Sequence, residues 1–320
     1  MLGVVQDFRG DEDVMQQFSA TDAALAGFRA AREKPKTIGV WTLLMGVLSF
    51  AVSAVAILTF GEKLTALAEA FADQSNPQGA MEAMSGMWPL FLGSILYVLA
   101  TNAVLLAGIN RLVLRPHDSA GAYLRLGADE LRQAAAQALL YVVLFGVYLV
   151  GGVGAVMIGG IGAAIGGAPL GVLLGVVAFI GVLAGLVLLS VRLSFVSTLA
   201  FDTRKIDLGA SWALTKGRFW PLFGAYLIAM VLAAVVYILL FVMIAAVGAI
   251  GALAAGGDLA SVGDALQHEA NSMSSLLSPA GVISSLLSGL TAVLLSLIVS
   301  APAPTIYAQL RGGDVSETFG

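Results

Sequence analysis

Six long apolar stretches, separated by polar segments, set the pattern of the chain. They run near Ile38–Phe60, Trp88–Val113, Ala138–Gly166, Leu170–Val191, Trp220–Leu253 and Gly281–Ile306. Each reaches the ~20 residues that a helix rising about 1.5 Å per residue needs to cross about 30 Å of hydrocarbon. The runs are continuously apolar and do not alternate with period two, which argues against a β-barrel. The expected class is therefore all-α: a polytopic integral membrane protein with six transmembrane helices. The third and fifth runs exceed the minimum, so they are expected to tilt, kink or project beyond the bilayer.

A short amphipathic segment precedes each odd-numbered run. The first is Phe18–Arg32, the second Ser119–Gln137 and the third Ile206–Arg218. Such a segment can lay its apolar side at the headgroup boundary while its Arg and Lys reach phosphates. Pro35 and Pro221 stand just before their runs, where a helix start tolerates proline. Leu126-Gly127-Ala128 recurs as Leu208-Gly209-Ala210. Two explanations stand side by side: three repeats of interfacial helix plus hairpin, or entry helices that arose separately. The expected division is an N-terminal cytoplasmic segment over 1–36, a six-helix membrane domain over 37–310 and a short tail over 311–320.

Charge placement gives the orientation. Of the 16 Lys and Arg residues, only Lys63 falls in a loop after an odd-numbered run. The positive-inside rule then puts both termini in the cytoplasm. The segments at 61–86 and 257–279 are acidic, read as partly helical, and fit an outer membrane surface or a docking face. Glu62–Phe71 reads as a helix that Asn76-Pro77 breaks. Composition agrees with a membrane class: 59% of residues are hydrophobic and 11% are charged, against about 25% charged in soluble domains. A net charge of -4 without a basic run argues against nucleic acid. The absence of cysteine removes disulfides, thiolate nucleophiles and thiolate metal sites. The polar start lacks a signal-peptide pattern, so the first run is expected to be an uncleaved anchor, with translation beginning at Met1 or at Met15.

Little in the chain resembles a catalytic centre. His117 and His268 fall on opposite sides of the membrane in this topology and read as surface residues. No Ser-His-Asp set is apparent, and no cofactor or metal is expected. The glycine-rich run Gly151–Gly171 lacks the spacing of a nucleotide loop. Gly162 and Gly166, then Gly167, Gly171 and Gly175, then Gly181 and Gly185 follow four-residue spacing, which lets helix backbones approach in lipid. A tight hairpin about Gly166–Pro169 follows. Asn102 and Asn110 are eight apart on one face of the second run. Intramembrane polar groups are functional candidates by default, and a hydrogen bond to Ser49 or Ser53 is the structural alternative. Arg192 closes the fourth run, either snorkelling or binding a lipid headgroup with Arg204, Lys205, Lys216 and Arg218.

The junction of the fourth and fifth runs carries a resemblance. Arg192-Leu-Ser-Phe-Val-Ser-Thr-Leu-Ala-Phe, followed by Leu208-Gly-Ala-Ser-Trp-Ala-Leu-Thr-Lys-Gly-Arg-Phe-Trp-Pro-Leu-Phe, resembles bacterial multi-helix membrane proteins. These are related to the membrane domain of glycerophosphoryl diester phosphodiesterases. The opening Phe18-Ser-Ala-Thr-Asp-Ala-Ala-Leu-Ala-Gly-Phe-Arg and the closing Ala301-Pro-Ala-Pro-Thr-Ile-Tyr-Ala-Gln-Leu-Arg are similar to the same family. Where those proteins often have proline, this chain has Ser197. The resemblance implies the multi-helix architecture and a bacterial inner membrane. It carries no catalytic residue, because the family's chemistry sits in a separate barrel. The expected function is a non-enzymatic inner-membrane protein that organises or binds membrane lipids or partner membrane proteins, or a second copy of itself. The alternative is a transporter or flippase-like path for a lipid or small amphiphile, lined by Asn102 and the glycine faces.

Overall fold

The computed structural model describes residues 19–72, 77–254 and 272–311. Phe18, the acidic stretch with His268, and the tail beyond Arg311 lie outside the described residues. Within them the regular structure is all helical. The helices are α1 (Ala20–Ala24), α2 (Ala26–Glu33), α3 (Pro35–Ala72), α4 (Pro77–Met84), α5 (Trp88–Leu114) and α6 (Ala128–Arg192). They continue with α7 (Val196–Asp202), α8 (Leu208–Thr215), α9 (Phe219–Ala254), α10 (Met273–Leu276), α11 (Pro279–Ser300) and α12 (Pro302–Leu310). Five helices among the described residues are long and apolar enough to cross a membrane, and 0% to 22% of the most apolar window of each is buried in the protein. So much outward-facing hydrocarbon is stable only in lipid. The chain is an all-α, polytopic membrane protein.

α6 is one helix of 65 residues with a break at Gly166 and Gly167. Gly167 has φ 77° and ψ 178°, a region open essentially only to glycine. Pro169 follows in the first turn of the second arm, where its missing N–H costs no helix bond. The arms fold back on each other. A Cβ on Gly171 would lie 2.6 Å from Ala163 Cβ, and one on Gly151 would lie 2.7 Å from Val182 Cγ1. These pairs are in antiparallel register about the break.

α11 is the central helix, packed against α3, α9 and α2. Its closest approach is to α3, where a Cβ on Gly289 would come 2.7 Å from Gly46 Cα. A Cβ on Gly27 of α2 would come 2.7 Å from Ile298 Cα of α11. Trp41, Met45, Leu105, Ile109, Val293 and Leu297 fill the core between α3, α5 and α11. A second core joins α1, the end of α6, α7, α9 and α12 through Ala23, Phe195, Leu222 and Ile306.

Several expected elements differ. The first entry segment is not a surface helix: Ala23, Ala24, Ala26 and Ala30 are buried, because small residues here let α1 and α2 pack on α9 and α11. The second has only a short 3-10 turn of its own, Ala120–Tyr123, since Ala128 onward is continuous with the α6 span. Glu62–Phe71 is helical as expected, but as the continuation of α3, whose 38 residues extend about 57 Å. The sixth run divides at Ala301. Pro302 and Pro304 lack amide hydrogens to continue the ladder, and α12 packs as a separate buried helix across α1, α2, α5, α7 and α9.

Candidate functional site

Polar chemistry gathers at one end of the bundle, where α1, α2, α7, α8 and α12 meet the ends of α5 and α6. Arg111 lies in the last turn of α5 and is 2% exposed. Its Nη2 lies 2.8 Å from Glu130 Oε1 and 3.7 Å from Asp129 Oδ2. Its Nη1 donates to the Tyr123 carbonyl, and its guanidinium sits 5.5 Å from the centre of the Phe201 ring. Arg115 approaches the same ring at 4.6 Å. Burying these charges costs several kcal/mol per ion unless each is paired. The carboxylates at the first turn of α6 supply the pairing and complement the positive end of the helix dipole.

The loop between α5 and α6 is shaped to deliver those groups. Gly121, Ala122 and Tyr123 all have positive φ, at 63°, 53° and 66°. Strain at the two non-glycine positions costs of order 1–3 kcal/mol each. Hydrogen bonds hold the conformation: Trp41 Nε1 donates to the Ala122 carbonyl at 2.7 Å, and Tyr123 Oη donates to the Pro116 carbonyl at 2.8 Å.

One turn further along α6, Gln133 meets Ser197 of α7, which is a hub. Its Oγ donates to Gln133 Oε1 at 2.6 Å, and its carbonyl accepts from Gln133 Nε2 at 2.8 Å. Asn110 Nδ2 donates to the Leu106 carbonyl at 2.8 Å and reaches Ser197 Oγ at 3.4 Å. The partner of Asn110 is therefore on α7, and the expected bond to Ser49 or Ser53 is not made, because Asn110 faces the α6–α7 side. A proline in place of Ser197 would fit the first turn of α7 and remove this hub.

The Arg192 junction has a reciprocal design. Arg192 Nη1 donates to the carbonyl of Thr215, the last residue of α8, at 2.6 Å. Ser211 Oγ of α8 donates to the carbonyl of Arg192, the last residue of α6, at 2.9 Å. Each helix thus satisfies a terminal carbonyl of the other. Trp212 lies 5.4 Å from the Arg192 guanidinium. Arg192 at the end of α6 and the segment Ser211-Trp-Ala-Leu-Thr215 thus act as one unit.

The basic residues consequently divide. Arg192 is committed to α8, and Arg218 donates to the Leu214 carbonyl at 3.3 Å. Arg204, Lys205 and Lys216 are exposed. They neighbour the exposed Ile206, Trp212 and Trp220. Asp202 accepts from Tyr307 Oη at 2.8 Å and from Arg311, which fastens α12 to α7. His117 is exposed and apart from this network.

The glycines divide as well. A Cβ would crowd its neighbours at Gly162 and Gly171, meet Leu170 at Gly166, and make ordinary contact at Gly175. At Gly181 and Gly185 it would meet nothing within 4 Å, so packing within the protomer does not account for these two. Asn102 is half-buried. The groove between the α6 arms is lined by Tyr141, Leu144, Phe145, Tyr148, Leu186 and Ser190, not by Asn102.

Sequence reasoning passed over Arg111, Glu130, Gln133 and Trp41. By sequence alone Arg111 reads as one more loop cation. The signal that marks the site is the spacing of Glu130, Gln133 and Gln137, which puts three polar groups on one face of a helix entering lipid. Among the described residues no cluster of His, Asp or Glu is arranged to hold a metal. No family model matches the chain, and neither a curated protein nor a solved structure matches it.

Proposed function

We propose that the protein is a non-enzymatic component of a bacterial inner membrane that binds anionic lipid headgroups at the α7–α9 connection. In this reading the two arms of α6 cross separately, giving six crossings with both termini in the cytoplasm. The basic end then faces the anionic cytoplasmic leaflet. One observation carries the reading: Arg204, Lys205 and Lys216 are exposed beside exposed Trp212 and Trp220, where the membrane helices end. Tryptophan favours the headgroup level. A lysine or arginine near an anionic surface contributes about 1 kcal/mol. The buried network beneath holds this rim rigidly, and the reciprocal Arg192–Ser211 caps fix α8 to α6.

The test is extraction into native-lipid discs followed by mass spectrometry of what copurifies. Stoichiometric anionic lipid supports the reading. A stoichiometric protein partner without enriched lipid would make the chain a scaffold instead. Lipid in bulk membrane proportions would overturn headgroup binding.

A further inference from the structure

Arg311 follows the last helix, α12, and marks where residues 312–320 leave the bundle. Its guanidinium meets Asp202, which also accepts from the Tyr307 hydroxyl at 2.8 Å. The same guanidinium lies 5.4 Å from the centre of the Tyr307 ring. Asp202 is the last residue of α7, so this contact roots residues 312–320 at the start of the α7–α9 connection. Arg204 follows Asp202 by two positions and Lys205 by three. Two residues span at most about 7 Å. The acids of the connection are already engaged. Asp202 holds Tyr307 and Arg311, and Asp207 caps α8 by accepting from the Ala210 amide at 2.8 Å. Among the described residues, Arg204, Lys205 and Lys216 have no ion-pair partner.

We propose that residues 312–320 dock on this rim, with Asp314 and Glu317 against Arg204, Lys205 and Lys216, and so compete with anionic lipid for it. The segment carries these two carboxylates and no Lys or Arg. Asp314 is three residues beyond Arg311 and Glu317 six, which keeps them within about 11 Å and about 22 Å of the root. The first reach is close to the screening length of about 8 Å at physiological salt. A tether this short gives an effective concentration on the order of millimolar. That offsets the weakness of a single exposed ion pair. Residues 1–18 also carry acids, at Asp7, Asp11, Glu12 and Asp13. Asp13 is six residues before Ser19, twice the separation of Asp314 from Arg311. The shorter tether and the Asp202 contact favour residues 312–320. Carboxylate and phosphate draw on the same cationic donors, so one displaces the other. The competition rests on the lipid reading of the rim, whereas the docking does not.

The test is zero-length carbodiimide cross-linking of the full-length protein in phosphatidylcholine discs, read by peptide mass spectrometry. Asp314 or Glu317 is expected to link to Lys205 or Lys216. The yield should fall as phosphatidylglycerol replaces phosphatidylcholine, and also as salt is raised. The double variant Asp314→Asn, Glu317→Gln should retain about fivefold more phosphatidylglycerol than wild type, as the loss of exposed ion pairs implies. Its unfolding midpoint should not move. Absence of these links in the folded protein would overturn the docking. So would links from Asp11, Glu12 or Asp13 in their place, or links that form only between two copies in a mixture of isotope-labelled and unlabelled protein. Unchanged phosphatidylglycerol retention in the double variant would overturn the competition. If the links form but neither wild type nor variant retains phosphatidylglycerol, the proposed function falls and the docking stands.

Discussion

The α3–α11 contact and the α6 hairpin both rest on glycine, but in different surroundings. Gly289 meets Gly46 across two helices that are 243 positions apart at that point, and α2, α5 and α9 close around them. The α6 arms meet each other near their own turn. None of the most apolar window of that segment is buried in the protein. The first contact organises the bundle. The second closes a local hairpin that is fastened to the bundle mainly at its basic end, through Glu130, Gln133 and the Arg192 junction. The comparison separates close packing that specifies the whole fold from close packing that specifies one element.

Substitutions at the two contacts sharpen this difference. Gly289→Leu should destabilise the whole protein by roughly 3 kcal/mol or more, because backbone rather than flexible side chain stands in the way. Thermal unfolding in lipid discs would measure it, and an unchanged midpoint would remove α11 from the centre of the account. Arg111→Leu should cost about 3–5 kcal/mol by stranding Glu130 in the interior. The double variant Arg111→Leu, Glu130→Leu should recover most of that loss, as a double-mutant cycle would show.

Gly171→Leu should open the hairpin while lowering global stability by only about 1–2 kcal/mol, within the ordinary range for overpacking. The chain has no cysteine, so a Gly151→Cys, Val182→Cys pair reports the arms cleanly. Disulfide formation should be efficient alone and much reduced with Gly171→Leu. Trp212→Ala should have the smallest effect, about 0.5–1 kcal/mol from its contact with Arg192. It is expected to move the unfolding midpoint slightly and leave the hairpin cross-link unchanged.

The sequence revealed what depends on long apolar runs and local glycine spacing. The membrane class, the starts of α5 and α11 and the turn at Gly166–Gly167 all follow from patterns within a few residues of one another. What it concealed depends on distant partners. Gly46 and Gly289 are ordinary isolated glycines until α3 and α11 are placed together. Arg111 and Glu130 look like solvated loop charges because each is polar and near a span end. Only their mutual burial makes them one unit. The entry segment before α3 has the polarity of an interfacial helix, yet its alanines and Gly27 are small for close packing against α9 and α11. Gly181 and Gly185 show the opposite case: spacing suited to packing with open space beside them.

We propose that the exposed cations of the α7–α9 connection bind anionic lipid, while Arg192 and the buried network serve the fold. The direct test is native mass spectrometry of phosphatidylglycerol retained by the wild-type chain and by the triple variant Arg204→Gln, Lys205→Gln, Lys216→Gln. Headgroup binding by these cations predicts strong retention in the first, loss of at least about tenfold in the second at roughly 1 kcal/mol per cation, and an unchanged unfolding midpoint. Equal retention by the two folded proteins would contradict it.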